Sequence, residues 1–310
     1  MQVSKNTRCN QRRRLGAISE FCERQQDLPK LVEVKRDRSP RDPEYMNVLL
    51  NERIKMLFTV IPKSASTTWR SILAAATGKV KPRGSHPNFH NIEKLNDVGI
   101  TSLSDISTVD REKILKTYYK VLIVRNPFDR LISAFDDKFH HNFIYGDTRM
   151  ALRYINETYR SISNHVVFGK APNTTDVPVT EFLRLVLDEN APYNKHWDFQ
   201  AKLSHICQIK YDYIIKVETM EDDSKPIFDR LLKDNATSLF LRRGNSHRAT
   251  GEYDAYYNRW LKQMSEVPLN MADKLKEFFQ VDMEAFGYGL KRDSDQQYYA
   301  TCSYNDDKCC

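Results

Sequence analysis

The chain has 310 residues, 29% of them charged and 40% hydrophobic, with a formal net charge of +7. That length holds one large or two modest domains with a sizeable core, and the composition is that of an ordinary globular protein. No run of eighteen apolar residues occurs, which excludes a transmembrane helix from this sequence, and the polar, basic N-terminus lacks the apolar centre of a signal peptide. The positive excess suits an anionic partner, for which nucleic acid, an acidic polysaccharide and a nucleotide all qualify, or else it is a solvated surface with a basic tail.

Residues 1–42 are basic, proline-bearing and weakly periodic, with Asn10-Gln11-Arg12-Arg13-Arg14 and Lys35-Arg36-Asp37-Arg38. They read as a poorly ordered stem or tether, with room for a short helix near Leu15–Cys22. Asp42–Asn51 leads into the first strand, an apolar, β-branched run that follows Lys55 and turns at Pro62. A helix is predicted over Thr67–Thr77, ending near Gly78. Lys79–Asn91 is rich in Pro, Gly, Ser, His and Asn and reads as loop. A short helix fits Asn91–Leu95, and an amphipathic one fits Ser107–Tyr118.

Tyr119–Val124 is a second buried strand, with a continuous apolar run. It ends at Arg125-Asn126-Pro127, where a helix begins with Phe128. Helices follow over Asp147–Val167 and Val179–Leu187, separated by a loop at Phe168–Pro178. Pro192–Trp197 is an aromatic, polar loop. Tyr211–Val217 is a third strand, followed by a helix over Glu221–Leu232. Tyr253–Gln263 and Met271–Phe279 read as the last helices, and the tail from Lys291 is polar and mobile. Strands alternating with helices predict an α/β fold with a central parallel sheet flanked by helices. The expected units are a stem (1–42), one main domain (43–290) and a polar, cysteine-containing tail (291–310).

In such sheets ligands bind at the carboxyl ends of the strands. Two turns sit there, Pro62–Trp69 and Arg125–Ser133. The first holds Lys63 among the small or hydroxyl-bearing residues Ser64, Ala65, Ser66, Thr67 and Thr68, at the start of a helix whose free N–H groups and dipole favour an anion. It is not a Walker A loop, because its lysine precedes the small residues, and no G-x-G-x-x-G occurs. On these residues alone the stretch is either a phosphate-binding loop or an ordinary capped helix start. Arg125 likewise meets either a ligand anion or a local carboxylate such as Asp129.

Cys9, Cys22, Cys207, Cys302, Cys309 and Cys310 contain no C-x-x-C pair, which argues against a zinc site and permits disulfides. Sequons at Asn156, Asn173 and Asn235 lean toward a secretory-pathway lumen.

The two turns together resemble a known family. Pro62-Lys63-Ser64-Ala65-Ser66-Thr67-Thr68-Trp69 looks like the 5′-phosphosulfate loop of the Golgi carbohydrate sulfotransferases. Val124-Arg125-Asn126-Pro127-Phe128-Asp129-Arg130-Leu131-Ile132-Ser133-Ala134-Phe135 looks like their 3′-phosphate motif. Asp137-Lys138-Phe139, Pro192–Trp197, Tyr211-Asp212-Tyr213-Ile214 with Lys216, Glu218 and Asp223, and Phe286-Gly287-Tyr288 extend the similarity over roughly residues 50–290. The set is most similar to the chondroitin and dermatan 4-O-sulfotransferase branch.

The resemblance implies a P-loop-like sulfotransferase fold, 3′-phosphoadenosine 5′-phosphosulfate as co-substrate and no metal. The implied partners are this nucleotide sulfate donor and an acidic or neutral glycan chain, and not nucleic acid. Residues 62–69, with Arg125, Arg130 and Ser133, would bind the donor, and Lys63 would act at the breaking bond. For the base that takes the acceptor proton, His90 and His196 come first among His86, His90, His140, His141 and His196. Trp197 is either a sugar-stacking platform or core. Arg242, Arg243 and Arg248 either cover the donor or form a solvated loop. The resemblance also implies a Golgi lumenal or membrane location, reached through an N-terminal anchor that this sequence lacks.

Two departures stand out. The relatives usually carry a paired-cysteine motif where Leu203-Ser204-His205-Ile206-Cys207 keeps one cysteine, and often a cysteine where Thr59 stands. The disulfide scheme is therefore expected to differ. A cytosolic-type sulfotransferase for small hydroxylated molecules shares both donor motifs. A non-catalytic glycan- or nucleotide-binding relative shares the fold. A P-loop kinase is disfavoured by the missing Walker lysine.

Overall fold

Strands β1 (Val48–Asn51), β2 (Met56–Val60), β3 (Ile100–Ser102), β4 (Tyr119–Val124) and β5 (Tyr213–Lys216) form one sheet in the order β3-β1-β2-β4-β5. The computed structural model describes residues 5–26, 44–79, 92–139, 150–155, 177–192, 194–231, 267–292 and 298–302. The centre is parallel, with Phe58 opposite Val121 and Leu122 opposite Ile214. The edge formed by β1 and β3 is antiparallel, with Leu49 facing both Phe58 and Ser102. That antiparallel edge was not expected. Its strands are four and three residues long, too short to carry a period-two signal.

The side chains of the central strands divide by parity. Leu57, Leu122, Val124 and Ile214 join one core, and Phe58, Val60, Val121, Ile123 and Ile215 join the other. Each strand is thus buried on both faces, which is why its sequence reads as an unbroken apolar run. The helices are α1 (Lys5–Gln26), α2 (Ser66–Ala76), α3 (Ile92–Asp97), α4 (Thr108–Thr117), α5 (Pro127–Phe139), α6 (Val179–Leu187), α7 (Gln200–Leu203), α8 (Met220–Leu231), α9 (Leu269–Phe278) and α10 (Gln280–Phe286). Helices α2 and α8 cover one face through Trp69, Ile72, Leu73, Ile227 and Phe228. The larger core on the other face takes in α1, α5, α6, α9 and α10.

The expected tether holds a 22-residue helix, α1, docked on the edge of the sheet. Gln11 Nε2 donates to Ile214 O and Ile214 N donates to Gln11 Oε1, both at 2.8 Å. One carboxamide thus stands in for the missing neighbour of an edge strand. Arg14 Nη1 donates to Ile214 O at 3.0 Å and meets Asp223 Oδ2 at 2.6 Å. Ile18 and Phe21 enter the larger core, and Cys22 forms a disulfide with Cys207. The sequence hid this docking because the buried face is completed by Gln11 and Arg14, which read as solvent-facing.

The polar tail likewise contributes structure, since β6 (Tyr288–Arg292) pairs antiparallel with β7 (Tyr298–Cys302). Of the helix expected over 147–167, residues 150–155 are helical and the remainder lies outside the described residues. The helix expected over 253–263 and the loop at 80–91 also lie outside them. No described helix is long and apolar enough to cross a membrane.

The Cys22–Cys207 crosslink joins positions 185 residues apart, so it restricts the unfolded chain strongly. Cys22→Ser is expected to cost about 2–5 kcal/mol of unfolding free energy in urea titrations. Dithiothreitol is expected to shift the wild-type transition by the same amount and leave the variant's unmoved.

Candidate active site

The chain leaves β2 through Ile61 and Pro62 and enters α2 at Ser66. In between, Lys63 (φ 69°) and Ala65 (φ 57°) are both left-handed without being glycine. Each such residue costs roughly 1–2 kcal/mol, a strain that gathers where a backbone has a ligand to meet. A left-handed Ala65 followed by a right-handed Ser66 turns successive N–H groups toward one point, the geometry of an anion nest. No side chain caps this helix start. Ser66 and Thr68 are half-buried here and Thr67 is exposed.

Other loop side chains turn inward. Ser64 is fully buried, its N–H donating to Ile61 O and its hydroxyl to Gln200 Oε1 at 3.2 Å. Trp69 stacks between Phe58 and Phe228, with centroids 5.6 and 5.8 Å away, and so anchors the first turn of α2 in the core. Pro62 gives its carbonyl to Arg130 Nε at 2.9 Å.

The second turn leaves β4 at Arg125. Asn126 starts α5, its Oδ1 accepting from Phe128 N and its carbonyl from Arg130 N. The Asn126 N–H donates to Glu218 Oε1 at 2.6 Å, and Tyr288 Oη donates to Glu218 Oε2 at 2.9 Å. On α5, Arg130, Ser133 and Asp137 fall at i, i+3 and i+7 and share one face. That face looks toward the first loop: Arg130 holds Pro62 O, and Asp137 Oδ2 lies 3.4 Å from Lys63 Nζ. Ser133 sits between them, half-buried.

One side chain ties the two turns together. The fully buried Gln200 accepts from Arg125 N (2.9 Å) and Ser64 Oγ (3.2 Å) through Oε1, and donates to Arg125 O (2.7 Å) through Nε2. Arg125 Nη1 completes the link by donating to Lys63 O at 3.2 Å. Gln200 is itself held by Asp282, whose two carboxylate oxygens accept from Gln200 N and Ala201 N, each at 2.9 Å. Burial pushes the Asp282 pKa up to about 6, and these N–H groups pull against that rise. Neither Gln200 nor Asp282 was picked out from the sequence. Their signal is three-dimensional, with no charge run or spacing to mark it.

His196 belongs to the same neighbourhood. Burial drives its pKa well below the ordinary 6.5, and the cations Lys138, Lys63, Lys195 and Arg130 push it further down. Lys63 is also lowered, by burial first, with Asp137 opposing and Arg125 and Lys138 adding. Arg130 is 1% exposed, with three donors bound to the carbonyls of Pro62, Lys195 and Asp198. It is a strut between the first loop and the turn that carries His196. Trp197 lies in the core, edge-on to Phe182 at 5.4 Å. His86, His90, His140, His141, Arg242, Arg243 and Arg248 lie outside the described residues. Among the described residues no group of His, Cys, Asp or Glu could hold a metal ion.

Two strand-end turns thus lie side by side, with the half-buried Lys63 at their junction among several cations. The sequence model of the sulfotransferase family matches residues 46–289. The chain belongs to the sulfotransferase family. Carbohydrate sulfotransferase 11 of Rattus norvegicus is 26% identical over 263 residues, which cover 83% of this chain and 70% of that protein. Carbohydrate sulfotransferase 8 of Mus musculus is 28% identical over 247 residues, covering 78% and 56%. Carbohydrate sulfotransferase 9 of Homo sapiens is 29% identical over 303 residues, covering 92% and 61%. No solved structure gives a significant match. The protein is a sulfotransferase enzyme, and membership implies 3′-phosphoadenosine 5′-phosphosulfate as its sulfate donor.

Replacing Gln200 with leucine keeps the volume and removes the three bonds through which its side chain joins the sulfotransferase's two turns, leaving the direct bonds of Arg125 to Lys63 O and of Arg130 to Pro62 O. Each group orphaned by the change costs about 1–3 kcal/mol. Gln200→Leu is expected to lower stability by about 2–4 kcal/mol in denaturant titrations and to weaken donor binding by calorimetry. Gln200→Glu, which keeps Oε1 as an acceptor, is expected to fall between.

Proposed function

We propose that this enzyme transfers the sulfuryl group of 3′-phosphoadenosine 5′-phosphosulfate to a sugar hydroxyl, the 4-O of N-acetylgalactosamine in a chondroitin-type glycosaminoglycan. The observation that carries the reading is the bonding of both turns to Gln200, with Lys63 at their junction. The relatives named for carbohydrate sulfotransfer supply the acceptor class.

In this reading the 5′-phosphate lies on the N–H groups at the start of α2 and the hydroxyls of Ser66, Thr67 and Thr68. Arg125 and Ser133 take the 3′-phosphate, which tells this donor from an ordinary nucleotide. The acceptor oxygen attacks sulfur in line. A new S–O bond forms as the bond to the 5′-phosphate oxygen breaks, and the acceptor proton passes to His196. Lys63 stabilises the charge that accumulates on the leaving oxygen. Asp137, which neutralises Lys63 in the free enzyme, gives way to that oxygen. Arg130, Ser64 and Trp69 hold the frame without touching the ligand.

An oxidising lumen, that of the Golgi, is the compartment we propose. The Cys22–Cys207 disulfide supports it, because reducing cytosol would not maintain the crosslink.

The test is transfer of radiolabelled sulfate to a panel of desulfated chondroitin, desulfated heparan, a phenol and a steroid. Label on chondroitin is expected, and label confined to the small phenol or steroid would sink the proposal. Tight binding of the desulfated donor without transfer to any acceptor would identify a non-catalytic relative instead. Lys63→Ala is expected to lower kcat at least about a hundredfold. Arg125→Ala is expected chiefly to raise the donor KM, by about 10- to 100-fold.

A further inference from the structure

The turn that carries His196 contains a side chain that stability alone would not select. Asn194 is 6% exposed. Its Oδ1 lies 2.9 Å from His196 N and 2.7 Å from His196 Nδ1. A backbone N–H can only donate, so the atom facing it is the carboxamide oxygen and not the amino group. That oxygen has no proton to give. Nδ1 therefore carries the proton, and the lone pair of the neutral ring belongs to Nε2.

The other end of the same carboxamide is left without a partner. Asn194 Nδ2 is buried with no hydrogen bond among the described residues. An aspartate of the same size would accept both bonds and orphan no donor. Its charge would also lie among cations, since Lys138 and Arg130 from α5, Lys63 from the first loop and Lys195 from the turn itself all act on the ring. Asp137 on α5 partly offsets them, through its contacts with Lys63 and Lys138. Asparagine is thus the poorer choice for holding the turn. It is the better choice for keeping the imidazole neutral, because a carboxylate at that distance would draw a second proton onto it.

We propose that Asn194 is a positioning residue that locks His196 in its Nδ1–H tautomer without charging it, so that Nε2 is held ready as the base. The proposal rests on His196 taking the acceptor proton. The cations then have a second use beside anion binding. Together with burial, which acts first, they hold the imidazole well below its ordinary pKa and so favour the neutral ring. The anionic donor entering the site would offset those cations and raise the basicity of Nε2 once the substrate is in place.

The experiment uses the whole protein with 15N-labelled histidine and the donor. Long-range proton–nitrogen spectra, with His196 assigned by its loss in His196→Gln, read the tautomer directly. The wild type is expected to show Nδ1–H. Asn194→Ala is expected to lose that preference and to lower kcat about 10- to 100-fold while the donor KM stays within about twofold. Asn194→Asp keeps the acceptor oxygens and is expected to retain Nδ1–H. Its acid limb of kcat/KM is expected to move to higher pH by about one unit or more, because the added carboxylate raises the imidazole pKa.

Near-ultraviolet circular dichroism checks that both variants are folded, and Asn194→Asp supplies the answer if Asn194→Ala is not. An Nε2–H tautomer in the wild type, an unchanged kcat in folded Asn194→Ala, or an unmoved acid limb in Asn194→Asp would each overturn the proposal. Full activity in His196→Gln would remove the base reading and with it the catalytic role of Asn194. The spectra would still decide the tautomer.

Discussion

A single buried carboxamide sets the geometry of this enzyme. Gln200 bonds to Ser64 on one strand-end turn and to both the N–H and the carbonyl of Arg125 on the other. An amide is planar and short, and it is fully buried here, so it spaces the two turns with little play. In a low-dielectric interior such bonds are strong when complete and costly when broken. The helix it starts, α7, is only four residues long and cannot hold itself in place. Asp282 holds it instead, by accepting from the first two N–H groups. The spacing of the two turns therefore traces back to a carboxylate on α10.

Around this frame like charges and burial act against Lys63 and against a protonated His196. Lys63 loses solvation through burial and feels the like charges of Arg125 and Lys138, relieved by Asp137. His196 feels four cations. Left-handed Lys63 and Ala65 add backbone strain at the same point. All three costs have the same remedy, an anion placed at the start of α2. On the proposed reading, the donor's 5′-phosphate would supply that anion, and relief of strain and of like-charge repulsion would add to its binding.

The parts of this arrangement that could be read from the sequence are those with a local signature. β2, β4 and β5 announced themselves as apolar runs because both faces of each are buried, and the two turns followed from their strand ends. Lys63 and Arg125 stood out as charges where burial was expected. The remaining parts act at long range. Gln200, Asp282 and Gln11 are uncharged or isolated polar residues whose partners lie 75, 82 and 203 positions away. No periodicity marks them. The short helix expected near Leu15–Cys22 lies within α1, but its longer extent and its docking on the sheet escaped for the same reason, since the bonds to the strand run through Gln11 and Arg14.

Arg125 and Arg130 show why a motif cannot be carried over as if all its residues did one thing. They stand five residues apart in a single run. Arg125 precedes the helix, is half-buried, and donates from its guanidinium to the carbonyl of Lys63. Arg130 lies one turn into the helix, is 1% exposed, and binds three carbonyls from two separate segments. Through Arg130 the loop bearing Lys63 and the turn bearing His196 are joined by one side chain. In the proposed mechanism the lysine at the leaving group and the base are then spaced by this strut, a property of the scaffold.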